Sequence, residues 1–435
     1  MPSIREILNK LFQPKYLFLF LLTLSIVIRV WASLTILELK ANPSQLDSDE
    51  QEYYRLSSNL LEGNYEFNAR RTLGHVILLT ILRLMTFDNF LGVQLLCVII
   101  FSLSAPLMYL LARRIIGNNL VAMLVGLLII FWPPYIYYGN SLYSETTVLP
   151  IFITLLILLP RGSLLTNKLD GNWRLWILCG VLLGVCMLIR PMYLLFTPFA
   201  ALIIFLEENR WKTALNHCAI FALGCCLIIL PWSIYMTTNA GVPILISANG
   251  GETIAGGLNP VLIEQGYQEF VTPSGRQSWF GPGKWLTISA NGYLNKEELK
   301  LPYAQQDALL KKRTFNWVWQ NPGSALYLES AKLLYMWGIY PLKLDKQTLF
   351  GSIPTMTLLA LSIAAMIRFR QNVRQLSRFW VLPIFVSGVA LISWGSWRFR
   401  QPGDLGIILL STIFILSLMI KPSEVMKLND NAKLT

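Results

Sequence analysis

The feature that most constrains this chain is the length of its apolar blocks. Runs of about 18 or more apolar residues with few charges read as membrane-spanning helices. Ten candidates occur, at 16–37, 90–112, 118–138, 142–160, 174–189, 191–206, 212–232, 350–367, 379–397 and 404–420. Hydrophobic residues make up 54% of the 435 and charged residues only 14%. Water-soluble domains carry roughly a quarter charged residues, so a soluble multidomain enzyme is excluded. The net charge of +12 would suit a nucleic-acid binder if the basic residues clustered on one face. They instead punctuate the apolar blocks, which is a membrane-topology pattern.

With the N-terminus in the cytoplasm, the inner connections hold Arg5, Lys10, Lys15, Arg113, Arg114, Arg161, Lys168, Arg174, Arg210, Lys212, Arg368, Arg370, Arg374 and Arg378. The tail adds Lys421, Lys427 and Lys433, whereas the short outer turns hold only Arg190, Arg398 and Arg400. This bias predicts an N-in, C-in topology. Val30, Trp31 and Ala32 pass loosely as a signal-peptide cleavage site, but the apolar stretch is too long for one, which predicts a retained helix. Cys97, Cys179, Cys186, Cys218, Cys225 and Cys226 all fall in predicted spans and read as small packing residues rather than a disulfide framework. Gly180 and Gly184 form a small-xxx-small pair, a sign of close helix packing.

Two outer segments, 38–89 and 233–349, break the rhythm of short loops, and loops that long are usually functional or disordered. They divide the chain into an N-terminal transmembrane module (1–232, including the first outer loop), an extracytoplasmic loop region (233–349), C-terminal transmembrane helices (350–420) and a cytoplasmic tail (421–435). The expected fold class is an all-α polytopic membrane protein of about ten transmembrane helices, with juxtamembrane helices in the first outer loop and a larger, mixed extracytoplasmic segment. The expected location is the bacterial plasma membrane, with the chemistry on the extracytoplasmic side. No Walker-type or Rossmann-type glycine loop is present, so an activated substrate would arrive through the bilayer.

Residues 47–67 read DSDEQEYYRLSSNLLEGNYEF. Tyr53, Leu56 and Leu60 recur at helical spacing and Asp49 starts the same stripe, which predicts an amphipathic helix along the membrane surface. Its acidic start has two compatible readings. Asp47 with Glu50, or Ser48 with Gln51, forms a capping box for the free N–H groups. Alternatively, one carboxylate held at the bilayer edge is a general base.

The run DEQEYYRLSSNLLEGNYEF from Asp49 resembles the first-loop signature of integral-membrane glycosyltransferases that use polyprenyl-phosphate sugars, the GT-C relatives of protein mannosyltransferases and lipid A aminoarabinose transferases. Further pieces are similar in the same order: LYSET at 142–146, GVLLGVCMLIRP at 180–191, Pro231-Trp232 with SANGGETIAGGLNP from Ser247, Asn321-Pro322 with Lys332 and Trp337, and WRFRQP at 397–402. Together they cover most of 16–420. The chain departs from the family at 71–76, where Arg71-Thr72-Leu73-Gly74-His75-Val76 stands in place of Arg-Pro-Pro-Gly-Tyr-Pro.

The resemblance implies an inverting attack on the anomeric carbon of a polyprenyl-phosphate sugar. Such a reaction needs a base for the acceptor proton and cations for the departing phosphate. Asp49 is the expected base, with Glu50 beside it. Asp47, Tyr53, Glu145 and His75 are expected to bind substrate or assist. No cofactor is demanded; a divalent cation on the outer carboxylates is the one cofactor the acidic loop could take, and no His/Cys cluster has metal-ligand spacing. For the phosphate, Arg29, Arg190, Arg398 and Arg400 defy the topology bias near the outer span ends. Each either snorkels to headgroups or holds the phosphate with its fixed fork. Arg70, Arg71 and Lys332 are further candidates that would serve equally as solvated loop charges. The expected partners are the lipid-linked donor and an extracytoplasmic protein, lipid or glycan acceptor, with no nucleic acid.

In the second outer segment, Gly250, Gly251, Gly256, Gly257 and Asn259 predict a turn-rich stretch. Trp279, Phe280, Trp285 and Tyr293 could stack on sugar faces or sit at the interface, and Lys311, Lys312 and Arg313 read as a solvated helix face. A flippase or transporter of lipid-linked sugars would also have outward cations, but transporters tend to show internal repeats that this chain lacks. A ligase that moves a whole polyprenyl-linked glycan would use the same donor chemistry.

Overall fold

The computed structural model describes residues 13–37, 39–64, 67–160, 172–264, 294–339 and 351–426. Among the described residues every regular element is helical. The helices used below are α1 Pro14–Thr35, α2 Ser48–Leu61, α3 Leu73–Met85, α4 Phe90–Ser102, α5 Ser104–Ile116, α6 Asn119–Phe131, α7 Ser144–Leu158 and α8 Trp173–Ile189. They continue with α9 Thr197–Glu207, α10 Trp211–Ala240, α11 Gly250–Gly257, α12 Tyr303–Gln320, α13 Pro322–Met336, α14 Ile353–Arg368, α15 Ser377–Ile392 and α16 Gln401–Met419.

This is an integral membrane protein. Among the described residues, four helical stretches are long and apolar enough to cross a bilayer alone: Pro14–Thr35, Phe90–Ile116, Trp211–Ala240 and Gln401–Met419. Shorter apolar helices occupy the other predicted spans, and their breaks have local causes. The stretch expected at 118–138 stops at Trp132, because the residue before a proline is pushed out of the helical region and Pro133 follows. The stretch after Arg190 begins as a 3-10 turn, Pro191–Phe196, before α9.

Two expectations need correcting. Helix α10 runs 30 residues, past Pro231 to Ala240, rather than ending near Trp232. A proline removes one main-chain donor, and the outer end of α10 is tied down instead by the returning loop: the Trp232 indole donates to the Ile246 carbonyl at 2.7 Å and the Ser233 hydroxyl to the Ile244 carbonyl at 2.9 Å. In the segment 233–349, expected to be mixed, every regular element among the described residues is helical, with irregular stretches such as 241–249 between the helices. Trp279, Phe280, Trp285 and Tyr293 lie outside the described residues.

The core sits around α16, whose side chains are buried on all faces over 401–413 and which packs against α6, α14 and α15. A helix apolar all round belongs inside a bundle. The small-residue pair does what its spacing suggests, because α8 and α10 meet at Gly180: a methyl group there would lie 2.0 Å from the Phe221 carbonyl oxygen. No disulfide forms; Cys97, Cys179, Cys186 and Cys225 are buried, Cys218 is half-buried and Cys226 is exposed.

Helices α2 and α3 of the first outer loop pack on each other through Tyr53, Tyr54, Leu56, Val76, Leu79 and Leu82. Glu50 fixes their place. Its carboxylate accepts from the Asp47 N–H at 3.1 Å and from the Leu142 N–H at 2.7 Å, and pairs with Lys40. The first bond is the Glu50 half of the expected capping box, and the second anchors the start of α2 to the turn before α7.

Candidate active site

Helix α2, the turn at 67–72, the starts of α7 and α11, the end of α8 and the turn between α15 and α16 converge on one cavity of about 260 Å³. Its wall divides by chemistry. Asp49, Arg70, Arg71, Ser144, Arg190, Glu252 and Arg398 form a charged side; Met192, Leu195, Ile254, Val389 and Ile392 form an apolar one.

The charged side is a chain of alternating sign. The Asp49 carboxylate accepts from Arg71 Nη2 at 2.6 Å and from Arg398 Nη1 at 2.7 Å. Arg398 also pairs with Glu145 through Nε and donates Nη2 to it at 3.1 Å, and Glu145 pairs with Arg190 at 2.6 Å. In the other direction Arg71 Nε donates to Glu52 at 2.6 Å, Glu52 lies 4.0 Å from Arg70, and Arg70 pairs with Glu252 at 3.0 Å. Each guanidinium in this chain stands between or beside carboxylates, so the wall is close to neutral as a whole while carrying dense charge.

Local sequence explains the placement. Asp49 and Glu52 are one helical turn apart on α2, so both face the 67–72 turn that carries Arg70 and Arg71. Pro191 cannot continue α8, so Arg190 leaves the helix in extended conformation and reaches Glu145 and the Ser144 hydroxyl, the latter at 3.0 Å. Aromatic rings back the cations: Arg398 lies over Tyr143 at 3.8 Å, Arg190 over Phe399 at 4.7 Å and Arg71 over Tyr53 at 5.0 Å.

Burial alone would raise the Asp49 carboxyl, but the adjacent guanidiniums of Arg398 and Arg71 outweigh it and hold the group well below the usual carboxylate range. Its side chain keeps 31% exposure toward the cavity.

The sequence-derived candidates separate accordingly. Asp49, Tyr53, Arg71, Arg190 and Arg398 line the cavity, and Glu145 lies directly beneath Arg398. Asp47 and Glu50 stay at the helix start, where Tyr143 donates its hydroxyl to Asp47 at 2.7 Å. His75 is fully buried with Nε2 2.8 Å from the Leu142 carbonyl and Nδ1 3.1 Å from the Thr147 hydroxyl, its ring edge-on to Tyr53. The carbonyl can only accept, so Nε2 carries the proton; the imidazole braces Tyr53 and the turn before α7. Within 71–76 the glycine that the chain keeps, Gly74, serves a close approach, since a methyl there would meet the Leu188 carbonyl carbon at 2.6 Å.

Three of the outward cations do not reach the cavity. Arg400 is buried, donating to Asp404 at 2.8 Å and to the Met336 carbonyl at 2.8 Å. Lys332 is buried, donating to the Leu391 and Ser393 carbonyls at 3.1 and 3.2 Å and pairing with Glu329. Arg29 pairs with Ser25 and lies over the Phe101 ring at 5.0 Å inside the helix bundle. These three brace main chain and neighbouring helices. Glu52 and Glu252 were not singled out from the sequence, although the i, i+3 spacing of Asp49 and Glu52 was there to be read.

The cavity carboxylates do not fit a divalent cation as they stand. Among the described residues no group of three or more His, Cys, Asp or Glu side chains is placed to hold a metal, and Asp49, Glu52 and Glu145 are all engaged by guanidiniums.

Helix α11 holds Glu252 over the cavity, with Tyr303 donating its hydroxyl to that carboxylate. Asp307 of α12 accepts the Glu252 N–H at 2.8 Å, and Gly251 permits the contact, since a methyl there would lie 1.9 Å from the Asp307 carbonyl oxygen. Burial, with Glu252 nearby, pushes the Asp307 carboxyl up to about 6, against the pull of the Gly251 and Glu252 N–H groups. The folded state therefore holds an extra proton between the ordinary value of 3.8 and about 6, and stability falls as pH rises through that window. At about 1.4 kcal/mol per pH unit the cost reaches about 3 kcal/mol. Asp307→Asn is expected to unfold at higher temperature than wild type at pH 7.5, with the advantage gone by pH 4; an equal difference at both pH values would contradict this.

No protein-family model matches the chain, and no curated protein does. Solved structures of the oligosaccharyltransferase of Archaeoglobus fulgidus share its fold. The form tethered to an acceptor peptide containing the NVT sequon matches at 14% identity and a TM-score of 0.52, over 94% of this chain and 50% of that one. The complex with Zn and sulfate gives 14% and 0.52 over 93% and 52%, and the apo form 13% and 0.52 over 95% and 52%. The chain thus spans about half the length of the structures it matches. The shared architecture agrees with the GT-C-type fold expected from the sequence.

Proposed function

We propose that the chain transfers a single sugar from a polyprenyl-phosphate donor to an acceptor on the extracytoplasmic side, with inversion at the anomeric carbon. The observation that carries this reading is the divided cavity wall. A lipid-linked sugar phosphate has an apolar tail, an anionic link and a polar sugar, and the cavity sets apolar Met192, Leu195, Val389 and Ile392 beside Arg190, Arg398 and Arg71. Its volume of about 260 Å³ is at the lower edge of the about 300–1,000 Å³ typical of ligand pockets, which suits one sugar better than a whole glycan. The likeness to oligosaccharyltransferases, which is one of fold, is compatible with it.

In this mechanism the acceptor oxygen or nitrogen forms the bond to the anomeric carbon and its proton passes to an Asp49 carboxylate oxygen. The bond from that carbon to the phosphate oxygen breaks, and the electron pair leaves on polyprenyl phosphate. Arg398, Arg190 and Arg71 are the groups placed to stabilise the growing phosphate charge. Glu145 holds Arg398 and Arg190 in position, and Glu252 with Arg70 faces the sugar or acceptor from α11. No step runs through a metal.

Sidedness rests on the lysine and arginine bias together with the aromatic–basic pairs at the starts of α1, α8 and α10. Lys15 lies over Tyr16, Arg174 over Trp173 and Lys212 over Trp211, with all three rings exposed. Exposed aromatic rings anchor helices at either headgroup level, and the lysine and arginine bias is what assigns these three ends to the cytoplasmic side.

The reading is tested by purifying wild type and Asp49→Asn in lipid and following release of polyprenyl phosphate from labelled donors in the presence of acceptors. Wild type should turn over and the variant should lose at least about two orders of magnitude, the usual share of a general base. Undiminished turnover in a folded Asp49→Asn protein would remove Asp49 from this role, and flux of lipid-linked sugar across vesicles without glycosidic transfer would support a flippase instead.

A further inference from the structure

The two guanidiniums best placed for the donor phosphate are the same two that occupy Asp49. Arg71 holds one carboxylate oxygen at 2.6 Å and Arg398 the other at 2.7 Å. So paired, Asp49 is a poor proton acceptor, and the arginines are poor phosphate ligands. We propose that donor binding exchanges these partners: the phosphate draws Arg398 and Arg71 away from Asp49, and the carboxylate thereby becomes a base only when donor is in place. This rests on the polyprenyl-phosphate reading given above and extends it to the order of events.

The geometry allows the exchange without stranding either cation. Arg398 keeps Glu145, to which it is bonded through Nε and Nη2, and Arg71 keeps Glu52 through Nε. In each case a terminal nitrogen is the one that holds Asp49, so Arg71 turns toward the cavity by rotating about its Nε bond to Glu52, and Arg398 does so by giving up its Nη2 bond to Glu145 while Nε stays paired. Asp49 loses two cations and gains an anionic neighbour, and both changes favour its protonated form.

The chemistry then closes on itself. Transfer places the acceptor proton on Asp49 and converts the phosphodiester monoanion of the donor into the phosphomonoester dianion of the product, which holds the guanidiniums more strongly. When polyprenyl phosphate leaves, Arg71 and Arg398 return to Asp49 and expel its proton to solvent. Water entering before the donor meets a carboxylate that cannot deprotonate it.

Coupling of this kind is reciprocal: if phosphate raises the proton affinity of Asp49, then neutralising Asp49 raises phosphate affinity by the same factor, typically 5–150-fold. Asparagine at 49 is the neutral mimic. Titration of farnesyl phosphate into the full chain in detergent should therefore give roughly tenfold tighter binding to Asp49→Asn than to wild type, although the variant is inactive. Glu298→Gln removes the same charge outside the cavity, where Glu298 pairs with Arg313 at 2.6 Å, and should change the affinity little. In wild type, the acidic limb of kcat should lie at higher pH than that of kcat/KM, because the first reports the donor complex and the second the free enzyme.

Equal tightening in both variants would reduce the effect to bulk charge and overturn the exchange. So would unchanged or weaker binding in Asp49→Asn, or coincident acidic limbs. Failure of wild type to bind farnesyl phosphate at all would overturn the donor assignment itself, a result distinct from the others.

Discussion

Arg398→Ala is expected to abolish most turnover while the protein stays folded. This side chain alone spans Asp49 and Glu145, which come from different helices, and it lies over the Tyr143 ring as a platform. Removing one preorganised donor to a developing oxyanion typically costs roughly 10²–10³-fold in kcat, and this donor also sets the position of the base. Arg398→Lys separates charge from shape. An ammonium can replace the charge at one carboxylate but cannot hold two at the fork geometry, so it should recover only a small part of the loss. The measurement is steady-state release of polyprenyl phosphate, with thermal unfolding as the control for folding. Alanine turnover within about tenfold of wild type would mean that Arg398 acts as a brace and not on the leaving group. Arg400→Ala is the informative contrast. It lies two residues away but points inward to Asp404 and the Met336 carbonyl, so it should lower the unfolding temperature far more than it alters turnover per folded molecule.

That contrast shows where the sequence stops being legible. The apolar stretches were readable because length and low charge alone identify a helix that must avoid water, and each predicted stretch contains an apolar helix here. The first-loop helix was readable from its acidic cap and the spacing of Tyr53, Leu56 and Leu60. Which of Arg398 and Arg400 faces the cavity was not, since a four-residue turn has no period from which to read direction. Neither was the pairing of Asp49 with Arg398, 349 residues away, because only the packing of α2 against the outer turn before α16 brings them together. Glu252 sits in a glycine-rich run whose helical form depends on Asp307 accepting its N–H, a contact between segments that carry no pattern in common. Of the cations that sequence singled out, Arg190 and Arg398 line the cavity, whereas Arg29, Lys332 and Arg400, equally improbable in an apolar setting, have partners inside the protein. An unusual charge marks a need for a partner, and only the structure says whether that partner is substrate or main chain.

The largest expected effect on stability is at Arg378, which topology alone would assign to the cytoplasmic headgroups. It is instead fully buried, with Nε and Nη2 on Glu207 at 2.8 and 2.5 Å, Nη1 on the Leu156 and Leu159 carbonyls at 2.9 Å each, and Nη2 also on the Pro160 carbonyl at 3.1 Å. The last carbonyls of a helix have no partners within it, so one guanidinium caps the end of α7 and ties it to the ends of α9 and α15. Among the described residues, Arg378→Ala would leave the buried Glu207 carboxylate only the Ser377 hydroxyl, at 3.1 Å, and would remove the donor from the Leu156, Leu159 and Pro160 carbonyls. Breaking a buried pair by removing one member costs about 3–5 kcal/mol, a large part of the stability of most proteins, so the variant should unfold far below the wild-type temperature and be recovered in low yield. The double replacement Arg378→Met with Glu207→Leu removes both charges together and should regain much of the loss, because replacing an entire buried pair by apolar groups is often neutral. The orphaned α7 carbonyls set the remainder, which a double-mutant cycle on unfolding in lipid nanodiscs would separate from the charge pair. Additive losses in the cycle would mean that Arg378 works through the carbonyls alone; a strongly restored double variant would place the energy in the ion pair.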